Sequence, residues 1–168
     1  MAGMVLAFVL LICLYTDLRE RKIYNMVVFP AIIFGLLYNF YSAGIDGALW
    51  ALKGFGLGLA VFFIPFALGG LGAGDVKLMG GIGALMGSQF VLLTALSAAL
   101  FGGLIALGIM LFKGQMGNFV RKTMGTLFIF LGNKDVRSFD ALDKKEYSIG
   151  FPYGVPIVLG VIVTYSIL

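Results

Sequence analysis

Long apolar stretches, separated by short polar breaks, run through almost the whole chain: about residues 2–16, 26–41, 48–68, 76–86, 90–112 and 149–168. A helix needs roughly 20 apolar residues to cross a bilayer, so a chain of this length has room for about six or seven spans joined by short loops, and the pattern predicts six. The fold expected is all-α, a polytopic six-transmembrane-helix bundle forming a single domain over residues 1–168. One connection is long, about 113–148. It contains the apolar stretch Met124–Leu131, too short to span and flanked by Arg121, Lys122 and Lys134, which reads as an interfacial helix on the membrane surface.

The first run ends in Asp17-Leu18-Arg19-Glu20-Arg21-Lys22. A cleaved secretory signal carries its positive charges before the apolar core, whereas here they follow it, so the run reads as an uncleaved span. Those cations place the first turn in the cytoplasm and the N-terminus outside. Alternate crossings then put eleven of the twelve basic residues inside, with Lys53 alone on the outer half. Composition adds little beyond this: 61% hydrophobic against 12% charged residues, with mean hydropathy +1.05, excludes an ordinary water-soluble domain. The net charge of +4 is explained by orientation and by contact with anionic lipid, without a nucleic-acid partner. The expected location is the cytoplasmic (inner) membrane, as a multi-pass protein.

The chain has no histidine and one cysteine, Cys13, inside the first apolar run. This removes Ser-His-Asp triads, His-Glu-x-x-His zinc sites, histidine proton relays and internal disulfides. Glycine is abundant at 25 residues. Gly83 and Gly87, at GxxxG spacing, read as close helix packing in lipid, whereas the dense run Gly69–Gly74 reads as an irregular turn.

Ionisable side chains at membrane depth are functional suspects. Asp135, Asp140, Asp143 and Glu146 belong to the polar connection, Glu20 to the charged turn, and Asp46 reads as the N-cap of the third span. Asp17, closing the first span, and Asp75, opening the fourth, are separated by two complete crossings and therefore lie at the same face, the cytoplasmic one. Each taken singly also reads as a helix-end residue. Two carboxylates sharing a site cannot both ionise cheaply, so together they supply one acid and one base. The base takes a proton from a water as that water attacks a peptide carbonyl; the acid protonates the carbonyl oxygen and then assists the leaving amine. No metal and no organic cofactor is required. Lys77, two residues from Asp75, falls on a different helical face and reads as snorkelling to the interface.

Three segments carry a family resemblance. Gly72-Ala73-Gly74-Asp75-Val76-Lys77-Leu78 resembles the GxGD-x-K-L signature of the type IV prepilin peptidases, GxGD-type intramembrane aspartic proteases. Asp17 through Asn25 resembles their D-x-R-x-R-x-I-P-N segment, with Tyr24 where the family usually has proline. Phe151-Pro152-Tyr153-Gly154-Val155-Pro156-Ile157 resembles their P-Y/F-G motif. The resemblance implies an aspartic endopeptidase that cuts prepilins on the cytoplasmic side, after a short basic leader and before an apolar helix. It implies Asp17 and Asp75 as the catalytic pair, with Gly72, Gly74, Lys77, Asn25, Pro152, Tyr153 and Gly154 binding substrate or shaping the site.

The long bifunctional members carry an extra N-terminal region and a four-cysteine zinc segment and also methylate the product. Without either, the chain looks more like the short peptidases of Tad/Flp pilus systems, so a Flp-like prepilin is the expected partner beside the bilayer. Archaeal preflagellin peptidases share the chemistry. Arg19, Arg21 and Lys22 would repel a basic leader and are therefore expected to face lipid. The rival readings are a small proton- or ion-coupled transporter using the same aspartates, with Lys53 or Lys77 as counter-charges, and a noncatalytic assembly subunit in which both aspartates are caps.

Overall fold

The computed structural model describes residues 1–112 and 152–168. Among them there is no strand, and the elements are helices α1 (Ala2–Glu20), α2 (Asn25–Ala67), α3 (Ala73–Phe112) and α4 (Gly154–Ile167). The chain divides into one compact unit, Met1–Gly102 with Phe151–Leu168, and a second, Gly103–Gly150, of which residues 103–112 are described as the end of α3. The connection at 113–148, its apolar stretch Met124–Leu131 and the four acids expected there lie outside the described residues. Helices α1, α2 and α3 are each long and apolar enough to cross a membrane, and α4 is a shorter apolar helix.

In an apolar medium every backbone N–H and C=O needs a partner within the segment, which makes helices of these runs. As one straight rod, the 43 residues of α2 would extend about 65 Å, twice the thickness of a bilayer core. The rod is broken. Ala43 and Gly44 leave helical geometry, with Gly44 at φ +62°, and α3 is broken in the same way at Gly87, φ +83°. Both breaks use glycine where a left-handed backbone carries no Cβ penalty.

The contacts on either side show that the chain doubles back at each break. Val28 and Ile32 lie beside Gly81, and Gly35 beside Ala84, so the first half of α2 runs parallel to the start of α3. Gly54 lies against Gly83 and Gly58 against Met79, so the second half of α2 runs antiparallel to that same segment. Beyond Gly87, Phe90 meets Tyr165, Thr94 bonds Thr164 and Gly102 lies beside Tyr153, a segment antiparallel to α4. At one end of α1 Gly3 approaches Tyr165, and at the other Asp17 meets Gly154. The six apolar runs thus correspond to α1, the two halves of α2, the two halves of α3, and α4. Their alternation gathers the end of α1 and the starts of α2, α3 and α4 at one end of the unit.

Packing along the α2–α3 seam is backbone against backbone. A Cβ on Gly54 would run into the Gly83 carbonyl, and one on Gly58 into the Met79 carbonyl. Gly83 therefore has the packing role expected of it; Gly87 also packs there, against Trp50, and additionally makes the break. Asn39 Nδ2 adds polar ties, donating to the Gly35 carbonyl (2.8 Å) and the Ala84 carbonyl (3.2 Å). The buried Thr94 and Thr164 hydroxyls bond each other at 3.2 Å. The largest fully buried side chains, among them Leu6, Leu78, Met79, Ile82 and Ile157, fill the space between.

Two local expectations change. The first helix runs four residues beyond the apolar run, to Glu20, because Asp17 through Glu20 continue the hydrogen-bonded turn. Asp46 sits in the first turn after the α2 break instead of at its cap, because the irregular residues are Ala43 and Gly44.

Candidate active site

Asp17 lies one turn from the end of α1 and not beyond it. The helix closes when Arg21 adopts the left-handed conformation (φ 54°, ψ 37°), with its N–H donating to the Asp17 carbonyl at 2.9 Å. For a non-glycine residue that conformation costs about 1–2 kcal/mol. The turn is also held by the Tyr24 hydroxyl, which donates to the Glu20 carboxylate, a bond that pushes the Tyr24 phenol above its ordinary range. Asn25 then opens α2.

Asp75 is positioned by the glycine turn. Helix α2 stops at Ala67, Gly69 takes φ +79°, and the Gly70 N–H reaches back to the Pro65 carbonyl at 2.9 Å, satisfying an orphan acceptor of the helix end. Helix α3 then starts at Ala73 with a reciprocal cap. The Gly72 carbonyl accepts from the Asp75 N–H (3.1 Å), and the Gly72 N–H donates to Asp75 Oδ2 (3.0 Å). Asp75 thus performs the cap role as well as facing the site, the geometry of a capping box with aspartate in the third helical position.

Helix α4 supplies the last part. Its first N–H, on Gly154, is one of the donors a helix start leaves unpaired, and it donates to Asp17 Oδ2 at 2.7 Å across 137 sequence positions. A Cβ on Gly154 would stand 2.7 Å from that oxygen, so the approach requires glycine. Both carboxylates are therefore held through one oxygen by a backbone N–H at a helix start. Of the charged side chains in the described residues, these two alone are buried, at 6% and 8% exposure.

Asp17 and Asp75 line one cavity of about 350 Å³. Asn25, Gly72 and Gly74, which the resemblance implies as site-shaping, line it with them; a Cβ on Gly74 would come within 2.8 Å of the Ile23 Cβ. Lys77 does not pair with Asp75. Its Nζ donates to Asn25 Oδ1 at 3.0 Å and lies 5.6 Å from the centre of the Phe29 ring, so it braces the cavity wall from outside. Pro152 and Tyr153 lead into α4 without lining the cavity. The Tyr153 ring packs edge-on against Phe62 at 6.1 Å.

The cavity also includes residues that were expected elsewhere. Arg21 and Lys22 line it, where a lipid-facing role was expected, because the left-handed turn at Arg21 folds the segment over the end of α1. Arg19 alone turns away, onto Tyr15, whose hydroxyl is 2.7 Å from its guanidinium. Ile23, Tyr24 and Ala73 complete the lining. Their neighbourhood to Asp17 and Asp75 in the chain was the available signal. The arrangement presents two fixed carboxylates and two cations to one cavity of about 350 Å³.

The model of a family described as the type IV leader peptidase family matches residues 4–107. The chain belongs to the type IV leader peptidase family. It is 30% identical over 123 residues to a prepilin leader peptidase/N-methyltransferase of Aeromonas hydrophila, which covers 68% of this chain and 42% of that protein. A protein of the same description from Aeromonas salmonicida is 28% identical over 122 residues, with the same coverage. A preflagellin peptidase of Methanocaldococcus jannaschii is 39% identical over 80 residues, 46% of this chain and 34% of that one. The chain spans less than half the length of these curated relatives. No solved structure matches it. The segment matched by the family model contains both aspartates and the glycine turn, whereas Gly154 lies beyond it.

Proposed function

We propose that this chain is a membrane-embedded aspartic endopeptidase that removes the basic leader from type IV, Flp-like prepilins at the cytoplasmic face of the cell membrane. In this reading it is one peptidase domain of six spans, with its N-terminus outside. Family membership supports the reaction class. The observation that carries the mechanism is the pair of buried aspartates on one cavity, each fixed through one oxygen by a helix-start N–H.

The reaction follows from that geometry. A substrate backbone lies between the carboxylates, with a water on one of them. That carboxylate takes a proton as the water oxygen bonds the scissile carbon, while the other gives its proton to the carbonyl oxygen. Collapse of the tetrahedral intermediate breaks the C–N bond: the proton first taken from the water passes to the leaving amine, and one hydroxyl proton of the intermediate returns to the carboxylate that had given its own, leaving the new carboxyl terminus. Gly154 and Gly72 hold the carboxylates in register, which matters because small displacements of reacting groups are costly in rate. A transporter needs polar groups that continue across the membrane, and the buried charges among the described residues are both at one end.

The test is leader release by the protein in lipid nanodiscs, measured by mass spectrometry on a prepilin. Asp17→Asn and Asp75→Asn should each abolish cleavage while accumulating and melting like the parent. Wild-type cleavage by either variant rejects the pair. The 39% identity to a preflagellin peptidase supports a second substrate reading; a preflagellin offered alongside the prepilin decides between them by the ratio of kcat/KM.

A further inference from the structure

We propose that an apolar groove adjoining the aspartate cavity is the subsite that receives the apolar segment of the substrate next to the scissile bond; this rests on the endopeptidase reading above. The groove, about 340 Å³, lies between the two halves of α2 and the first turn of α3, and its accessible walls are apolar. Phe29 and Ile32 form one side, Leu59 and Phe63 the other, and Val76 lies between them. It exists because Gly58 and Gly80 let α2 and α3 touch, leaving Phe55 and Leu59 to flank Gly80.

Two observations tie the groove to the site and not merely to the surrounding lipid. Ala73, one residue from the glycine turn and two from Asp75, lines both the groove and the aspartate cavity. Lys77 stands on the groove's border with its Nζ bonded to Asn25, which lines the cavity, so one side-chain pair forms the partition between the two spaces. The groove is also open laterally, since Phe29 and Phe63 on opposite walls are about half exposed. An extended chain whose carbonyl lies at the aspartates passes Ala73 and reaches apolar walls on one side, and on the other the rim of Arg21 and Lys22. An apolar segment entering from the bilayer thus reaches the carboxylates without crossing the polar end.

The test uses the full-length protein in nanodiscs and two synthetic peptides sharing one leader and cleavage site. One continues with an apolar segment; in the other that segment is replaced by serine and glycine. Leu59→Trp, which fills the groove, should lower kcat/KM for the apolar peptide roughly ten- to hundredfold, the span of one large apolar contact, mainly through KM, and leave the polar peptide unchanged. Phe63→Ala, which opens one wall, should weaken the apolar peptide selectively and to a smaller extent. A benzophenone side chain at position 63, in protein also carrying Asp75→Asn, should crosslink the apolar segment. Equal effects of Leu59→Trp on both peptides, or crosslinks to lipid alone, overturn the groove assignment. If the wild-type chain cleaves neither peptide, the peptidase reading falls and the subsite falls with it.

Discussion

Along the seam between α2 and α3, Gly54 and Gly83 bring two backbones into contact and leave no room for a methyl group. At the opposite extreme, Gly69 through Gly72 open a turn beside which a cavity forms. The same residue type is used for closeness in one place and for irregular backbone in the other. The seam is closely packed and sets three helical segments against one another; the turn delivers Asp75 and the start of α3 to the end where Asp17 and α4 arrive. Rigidity in the first region is what makes placement in the second reproducible, so damage to the two should look different. Seam variants should lose the fold, and site variants should keep it while losing activity.

The largest effect should come from the seam. Gly54→Val drives a side chain into the Gly83 carbonyl and the Gly87 backbone, an overpacking that should cost about 3 kcal/mol or more and abolish accumulation in membranes. Gly56→Ala, on the same helix but facing open space, should accumulate normally. Equal behaviour of the two in a detergent melting assay would break the account of the seam.

A smaller effect is expected where the regions meet. Gly154→Ala places a methyl against Asp17 Oδ2 and should cut kcat by roughly ten- to a hundredfold through misplacement, with KM and the melting temperature little changed. A loss confined to KM would show that Gly154 serves substrate binding instead of Asp17. The smallest effect belongs to the rim. Arg21→Gln or Lys22→Gln should raise kcat/KM for a basic-leader substrate about two- to threefold at low salt, by removing like-charge repulsion, and the gain should fade as salt screens it. An unchanged rate at low salt would remove both cations from the substrate path.

Much of this was legible in the chain because it depends on counting and on local chemistry. The six apolar runs correspond to helical segments, the glycine run is an irregular turn as far as Gly72 with Ala73 and Gly74 already in α3, and the doubling back of α2 brings Asp17 and Asp75 to one end. What could not be read depends on contacts between distant residues. The Gly154 N–H reaches Asp17 over 137 positions, and a glycine that admits a carboxylate looks in sequence like one that admits another helix. The charge of Arg21 and Lys22 points to lipid, and nothing in it foretells that a left-handed residue folds them over the site. Asn39, Thr94 and Thr164 are isolated polar residues in apolar runs, and their partners lie 45 to 70 positions away. The groove was invisible for a simpler reason: Phe29, Leu59 and Phe63 have the same hydropathy whether they face lipid or line a pocket.

If Asp17 and Asp75 act as one chemical unit, a double-mutant cycle on cleavage shows it. Rates of leader release should be measured for the wild-type chain, Asp17→Asn, Asp75→Asn and the double variant, at matched amounts of folded protein in the same lipid. Groups that act as a unit are grossly non-additive, so each single variant should fall about as far as the double. Two independent, multiplying losses, or a single variant that retains the wild-type rate, would contradict it.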